Sequence, residues 1–132
     1  MRRQIRVVGA MLEREGGQYL ITQRRPEASL PLLWEFPGGR VEEHESEEAA
    51  LARELREEMN ISVNVHELAV HTKHGYENYD IDFFVFRCTL KAESPPVANK
   101  TVHNHAWVTL AQIGAYQFPD VDAKTLAKLL EL

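Results

Sequence analysis

Fourteen residues, Ser46 to Met59 (SEEAALARELREEM), run without glycine or proline and are dominated by Ala, Leu, Glu and Arg, the composition of a stable helix. The runs around it read differently. Ile5 to Leu12, Tyr19 to Thr22, Ile61 to Val70, Ile81 to Leu90 and Ala106 to Val108 are rich in β-branched and aromatic residues or alternate apolar with polar, which are strand signals. One central helix set among strands predicts an α+β fold of the α/β/α sandwich type. Ser46 is the expected N-cap, Glu47 and Glu48 suit the positive helix end, and Asn60 stands where a left-handed C-terminal residue is needed.

The connections are also legible. Glu15-Gly16-Gly17 predicts a hairpin turn, residues 25–33 and 93–100 carry prolines and read as loops, and Glu77 to Asp80 reads as a hairpin connection. Asp120 to Leu132 predicts a final amphipathic helix burying Leu126, Leu129 and Leu130. A chain of 132 residues suits one domain, 1–132. A net charge of −5 argues against duplex nucleic acid as a partner, and no apolar run is long enough for a membrane span. One cysteine, Cys88, fits a reducing, cytoplasmic setting. Monomer and homodimer both stay open.

On a wheel turning about 100° per residue, with Glu54 at 0°, Glu47 falls at roughly 20°, Glu58 at roughly 40° and Glu57 at roughly −60°. Leu51, Ala52, Leu55 and Met59 centre at roughly 100°, so the acidic stripe adjoins the apolar one instead of opposing it. Like charges crowded beside a core repel one another. A hard divalent cation such as Mg²⁺, which takes carboxylate oxygens, relieves that repulsion. The alternative is an ordinary solvated helix face. Pro37-Gly38-Gly39, read as a turn just upstream, would let backbone approach both metal and phosphate.

Gly39, Glu45, Arg53-Glu54-Leu55, Glu57-Glu58 and Ile61 match eight of the nine specified positions of the Nudix box (G, five residues, E, seven residues, REU, one residue, EE, one residue, GU, with U a large aliphatic). Over residues 39–61 the chain therefore resembles the Nudix hydrolases. The one departure is Asn60 in place of the late glycine, and Asn tolerates the left-handed conformation. The segment Leu33 to Glu42 (LWEFPGGRVE) extends the resemblance to the MutT-like branch, the 8-oxo-dGTP and CTP pyrophosphohydrolases. That resemblance implies a mixed sheet between helices, with the box as a loop–helix–loop. It implies a nucleotide substrate, dependence on Mg²⁺ with Mn²⁺ able to substitute, and hydrolysis of (d)NTP to (d)NMP and pyrophosphate, as in nucleotide-pool sanitation.

By the same resemblance Glu57 and Glu58 hold the metal, joined by Glu54 and by a carbonyl of Gly38 or Gly39. Arg53 orients Glu57, and Glu45 organises the loop. Some MutT-like enzymes carry a catalytic Glu six residues before a Trp like Trp107; here that position is Thr101. Glu54 is then the favoured general base, with His103 as the alternative. His103 and His105 as a zinc pair is a further reading, without a third ligand to support it.

Arg24 and Arg40 are expected on phosphate, with Glu35, Phe36 and Asp122 completing the substrate contacts. Trp34, Phe36 and Phe118 are candidates for base stacking or for core. Asp122 stands where MutT has the Asn that reads the oxidised guanine. An ionised Asp accepts hydrogen bonds without donating, which predicts weak preference for 8-oxo-dGTP and tolerance of an amino-bearing base. The box alone leaves open a hydrolase of nucleotide sugars or dinucleoside polyphosphates. It also leaves open a catalytically silent nucleotide-sensing regulator.

Overall fold

Ten elements follow one another in the computed structural model, which describes residues 2–130: β1 (Arg3–Arg14), β2 (Gln18–Gln23), β3 (Trp34–Glu35), β4 (Gly38–Arg40), α1 (Glu47–Met59), β5 (Val63–Gly75), β6 (Tyr79–Leu90), β7 (Asn104–Thr109), α2 (Leu110–Ile113) and α3 (Asp120–Leu130). The strands form a seven-stranded mixed sheet in the order β3-β2-β1-β6-β5, with β4 added to β1 and β7 to β2. β1 and β6 pair in parallel from Arg3↔Tyr79 to Glu13↔Thr89, and the other ladders are antiparallel. β1 pairs with β2, β4 and β6, and its length allows it. Near its C-terminal end it meets β2, and further back Val7 to Gly9 meet β4.

Period-two alternation along β1 divides the core between two faces. Val8, Ala10 and Leu12 pack with Leu51, Leu55, Met59 and Ile61 under α1. Met11 packs with Phe36, Phe83, Val85, Val121 and Leu126 under α3. The layers are helix, sheet, helix, as the sequence implies. Several details differ from the sequence reading. Gly38 and Gly39 lie in a short strand, not a turn, because their backbone pairs with Gly9 and Val8. Tyr79 and Asp80 already belong to β6, so the hairpin connection is shorter than expected. Leu130 is 53% exposed, so it is not among the residues α3 buries. Residues 131–132 lie outside the described residues. No helix is long and apolar enough to cross a membrane among the described residues.

Candidate active site

α1 is fixed at both ends by the residues its sequence supplies. Ser46 Oγ accepts from the Ala49 N–H at 3.1 Å, and Asn60 takes φ 59°, ψ 31° with its N–H on the Arg56 carbonyl. The helix buries Ala50, Leu51, Leu55 and Met59. Ala50, not Ala52, is thus its buried alanine, so the buried arc reaches round to about −40°. Glu54 and Glu58 fall inside that arc, and Glu57 lies just outside it with 55% of its side chain exposed.

That placement governs the electrostatics. Burial pushes the Glu58 carboxyl up to about 8, with the neighbouring Glu54 and Glu35 adding to the rise. Glu54 is raised too, by burial, against the pull of Arg53. Arg53 is the hub of the acidic face. Its Nε and Nη2 fork onto Glu45 at 2.7 and 2.9 Å, Nη1 reaches Glu54 Oε1 at 2.9 Å and Glu57 Oε2 at 3.1 Å, and Nη2 also donates to the Arg40 carbonyl. The fork, then the Glu42 N–H, hold Glu45 down at about 2.

β4 brings the glycine pair against this helix. A Cβ on Gly39 would overlap the Glu54 carboxylate, and one on Gly38 would overlap the Val8 carbonyl oxygen. Two elements can approach this closely only because neither residue has a side chain. From the other side the loop before β7 folds onto the end of α1. The Lys100 and Thr101 N–H groups donate to the Glu58 carbonyl at 3.0 and 3.2 Å, so Thr101 does stand beside the acidic helix, without a carboxylate to offer. His103 is tied by its N–H to the Gln23 carbonyl, and His105 Nδ1 is engaged by Asn99 at 2.6 Å.

A cavity of about 290 Å³ opens beside Gly38, Gly39, Arg40 and Glu58 and extends past Arg24, Glu35, Phe36 and Asp122. The sequence-predicted site residues therefore meet in one place, with Arg53, Glu54 and Glu57 on the helix edge behind it. Three details bear on those expectations. Phe36 is 4% exposed and stacks on Phe118 at 6.0 Å, so its ring belongs to the core, while its N–H donates to Asp122 Oδ2 at 3.1 Å. Trp34 packs edge-on against Tyr116. Asp122 is 5% exposed, and burial, with Glu35 nearby, holds its carboxyl well above the usual range. That shift works against the ionised form, in which Asp122 would accept hydrogen bonds without donating.

Tyr76 and Tyr79, which the sequence reading missed, line the same cavity from the β5–β6 hairpin, their rings stacked at 5.3 Å. The Tyr76 hydroxyl accepts the Val121 N–H at the start of α3. Aromatic residues in a hairpin carry a signal, but its relevance depends on which end of the sheet holds the site.

The donor set suits a hard cation: a buried carboxyl with further carboxyls beside it, and close-packed glycine backbone. Among the described residues no three acidic, His or Cys side chains already converge on one point; Arg53 occupies oxygens of both Glu54 and Glu57.

A family model described as the NUDIX domain matches residues 7–128. The chain belongs to the Nudix family. It is 36% identical over 104 residues to the CTP pyrophosphohydrolase of Escherichia coli (strain K12), covering 78% of this chain and 60% of that relative's length. It is 32% identical to the 8-oxo-dGTP diphosphatase of Haemophilus influenzae over 96% of this chain and 91% of the relative. Among solved Nudix structures, the Escherichia coli ORF135 protein superposes with a TM-score of 0.83 at 28% identity, covering 99% of this chain and 91% of that one. The MutT protein of methicillin-resistant Staphylococcus aureus 252 gives 0.76 at 33% identity, covering 99% and 98%. Nudix hydrolases need a divalent metal, and the MutT-like membership and the mixed-sheet sandwich both agree with the sequence reading.

Proposed function

We propose that this Nudix protein hydrolyses nucleoside triphosphates to the nucleoside monophosphate and pyrophosphate, using Mg²⁺, with Mn²⁺ able to substitute. The observation that carries the reading is Glu58. Its desolvated carboxyl lines the cavity of about 290 Å³, on the helix edge that also bears Glu54 and Glu57. Glu54, Glu57 and Glu58, with a Gly38 or Gly39 carbonyl, would hold the ion. When bound, the metal neutralises polyphosphate charge and polarises water for in-line attack.

The remaining work falls to this chain's own groups. Arg53 positions Glu54 and Glu57 through its three-sided hydrogen bonding. Glu54 takes the proton of the attacking water: burial strengthens its hold on a proton, and Arg53 limits that gain. Arg40, at the cavity mouth, supplies positive charge to the phosphates. Glu35 and Asp122, which line the same cavity, would face the base. The named activities of the relatives, on CTP and on 8-oxo-dGTP, support a triphosphate as the substrate class. We infer a cytoplasmic setting from the single cysteine, Cys88, a buried thiol pushed up to about 12 by burial.

The test is a panel of nucleotides scored for rate and product, with and without Mg²⁺. Pyrophosphate released only with the ion supports the reading; NDP and phosphate, or no turnover, refutes it. Glu57→Gln should lower kcat by at least about 10³-fold with the melting temperature little changed.

A further inference from the structure

Arg24 has a guanidinium that is already spoken for. Its Nε donates to the Ser29 carbonyl at 2.7 Å, Nη2 to Ser29 Oγ at 3.1 Å and Nη1 to Glu35 Oε1 at 3.2 Å. Its own backbone N–H donates to the Leu33 carbonyl at 2.8 Å. Both side chains of the Arg24–Glu35 pair are about three-quarters buried, at 25% and 27% exposure. All these partners lie on one short stretch: Glu35 at the cavity wall, and the loop that carries Ser29 and Leu30 to the cavity mouth. That loop needs an anchor. Leu30 and Leu32 sit at φ 52° and 62° and are 44% and 45% exposed, a conformation that is unfavourable for a residue bearing a Cβ and that little packing compensates.

By contrast, Arg40 lines the same cavity, and no ion pair engages its side chain among the described residues. The two arginines therefore divide the work. Resting on the triphosphate reading above, we propose that Arg24 is a positioning residue for base selection: it fixes the Glu35 carboxylate, and with it the wall formed by Ser29 and Leu30, so that Glu35 Oε2 meets the edge of the nucleobase as an oriented acceptor. Three of the five guanidinium N–H donors, one each on Nε, Nη1 and Nη2, are taken by the protein, which ties the fork to Ser29 and Glu35. With one oxygen bound by Arg24, whose charge opposes the rise that burial causes, Glu35 presents the other as an acceptor and favours a base carrying an exocyclic amino donor over one carrying a carbonyl there.

Cytosine and uracil isolate that difference, being of one ring size and differing at the 4-amino or 4-oxo group. The experiment measures kcat/KM for CTP and UTP, and competitive inhibition by inorganic pyrophosphate, in the wild type, Arg24→Gln, Arg24→Lys, Glu35→Gln and the Arg24→Gln/Glu35→Gln double variant, with a melting curve for each. The wild type should favour CTP. Arg24→Gln should reduce the CTP/UTP ratio by about tenfold, the effect of one charged hydrogen bond. Arg24→Lys, which keeps the charge and loses the fork, should fail to restore the ratio. Pyrophosphate inhibition should be unchanged throughout. In the Glu35→Gln background, removing Arg24 should leave the ratio unaltered, because Arg24 acts through Glu35.

Equal loss on CTP and UTP, weaker pyrophosphate binding, or rescue by lysine would make Arg24 a phosphate ligand and overturn the proposal, as would an unchanged ratio. Should Arg24→Gln fail to fold, Arg24→Lys and Glu35→Gln still decide it through the ratio and the pyrophosphate constant. If the wild type releases pyrophosphate from no nucleoside triphosphate, the functional reading fails; a uniform loss in a working enzyme sinks only the role given to Arg24.

Discussion

Glu54 fills the space in which a side chain of Gly39 would stand: a Cβ there would overlap its carboxylate and lie 2.9 Å from its Cγ. The neighbouring Gly38 is excluded from bearing a side chain by something stiffer, the Val8 carbonyl and the Gly9 backbone. The two alanine variants should therefore part company. In Gly39→Ala the obstacle is the end of a flexible side chain, so the melting temperature should move by only a few degrees, while displacement of Glu54 by about 1 Å costs kcat/KM about 10²-fold. Gly38→Ala must push β4 off β1 and should lower stability by about 3 kcal/mol or more. Thermal melts and pyrophosphate release distinguish them; a fully active Gly39→Ala would show that the contact is unimportant.

Arg53 joins Glu45, Glu54 and Glu57 through a planar fork that lysine cannot reproduce. Arg53→Lys should keep the fold, with a melting temperature lower by a few degrees, and lose about 10²-fold in kcat with little change in KM. A loss confined to KM would mean that Arg53 touches substrate instead of organising the acidic edge.

Much of this site is legible in the sequence, because its chemistry is local along the chain. Ser46, the acidic run and Asn60 lie on one continuous segment whose cap-to-cap geometry follows from residue type. What the sequence hid was tertiary. The burial of Glu54 and Glu58 follows from the packing of α1 against the sheet, and the upward shift of the Asp122 carboxyl comes from enclosure by elements far along the chain and then from Glu35. Tyr76 and Tyr79 enter the cavity because β6 runs parallel to β1 and carries its hairpin to the same end. The glycine pair looked like a turn because glycine is rare in strands; the close approach of α1 at Gly39 and of the β1 backbone at Gly38 explains its presence in β4.

Asn60 tests how much the one departure from the box matters. With φ 59°, ψ 31° it already occupies the conformation that glycine adopts freely. Asn60→Gly should be neutral or stabilise by up to about 1 kcal/mol, and Asn60→Ala should destabilise by about 1 kcal/mol. Neither should alter kcat, since the residue caps the helix and lies outside the cavity lining.

The metal-free protein should lose stability as the pH rises. The Glu58 carboxyl stands at about 8 in the folded protein against an ordinary 4.5, raised first by burial and then by Glu54 and Glu35. Between those values the folded chain holds a proton that the unfolded chain has released. Its stabilisation is fully present below about 4.5 and is lost as the pH climbs through about 8. Glu35, Glu54 and Asp122 are shifted in the same direction, chiefly by burial. In EDTA the melting temperature should fall by about 5 °C or more from pH 5.5 to pH 8.5, and Glu58→Gln should flatten that slope. Added Mg²⁺ should raise the melting temperature far more at pH 8.5 than at pH 5.5, because an ion and a proton compete for the same oxygens. A melting temperature in EDTA that rises with pH over this range would mean that Glu58 is solvated and charged in the folded protein, and would remove the electrostatic reason for placing a cation beside it.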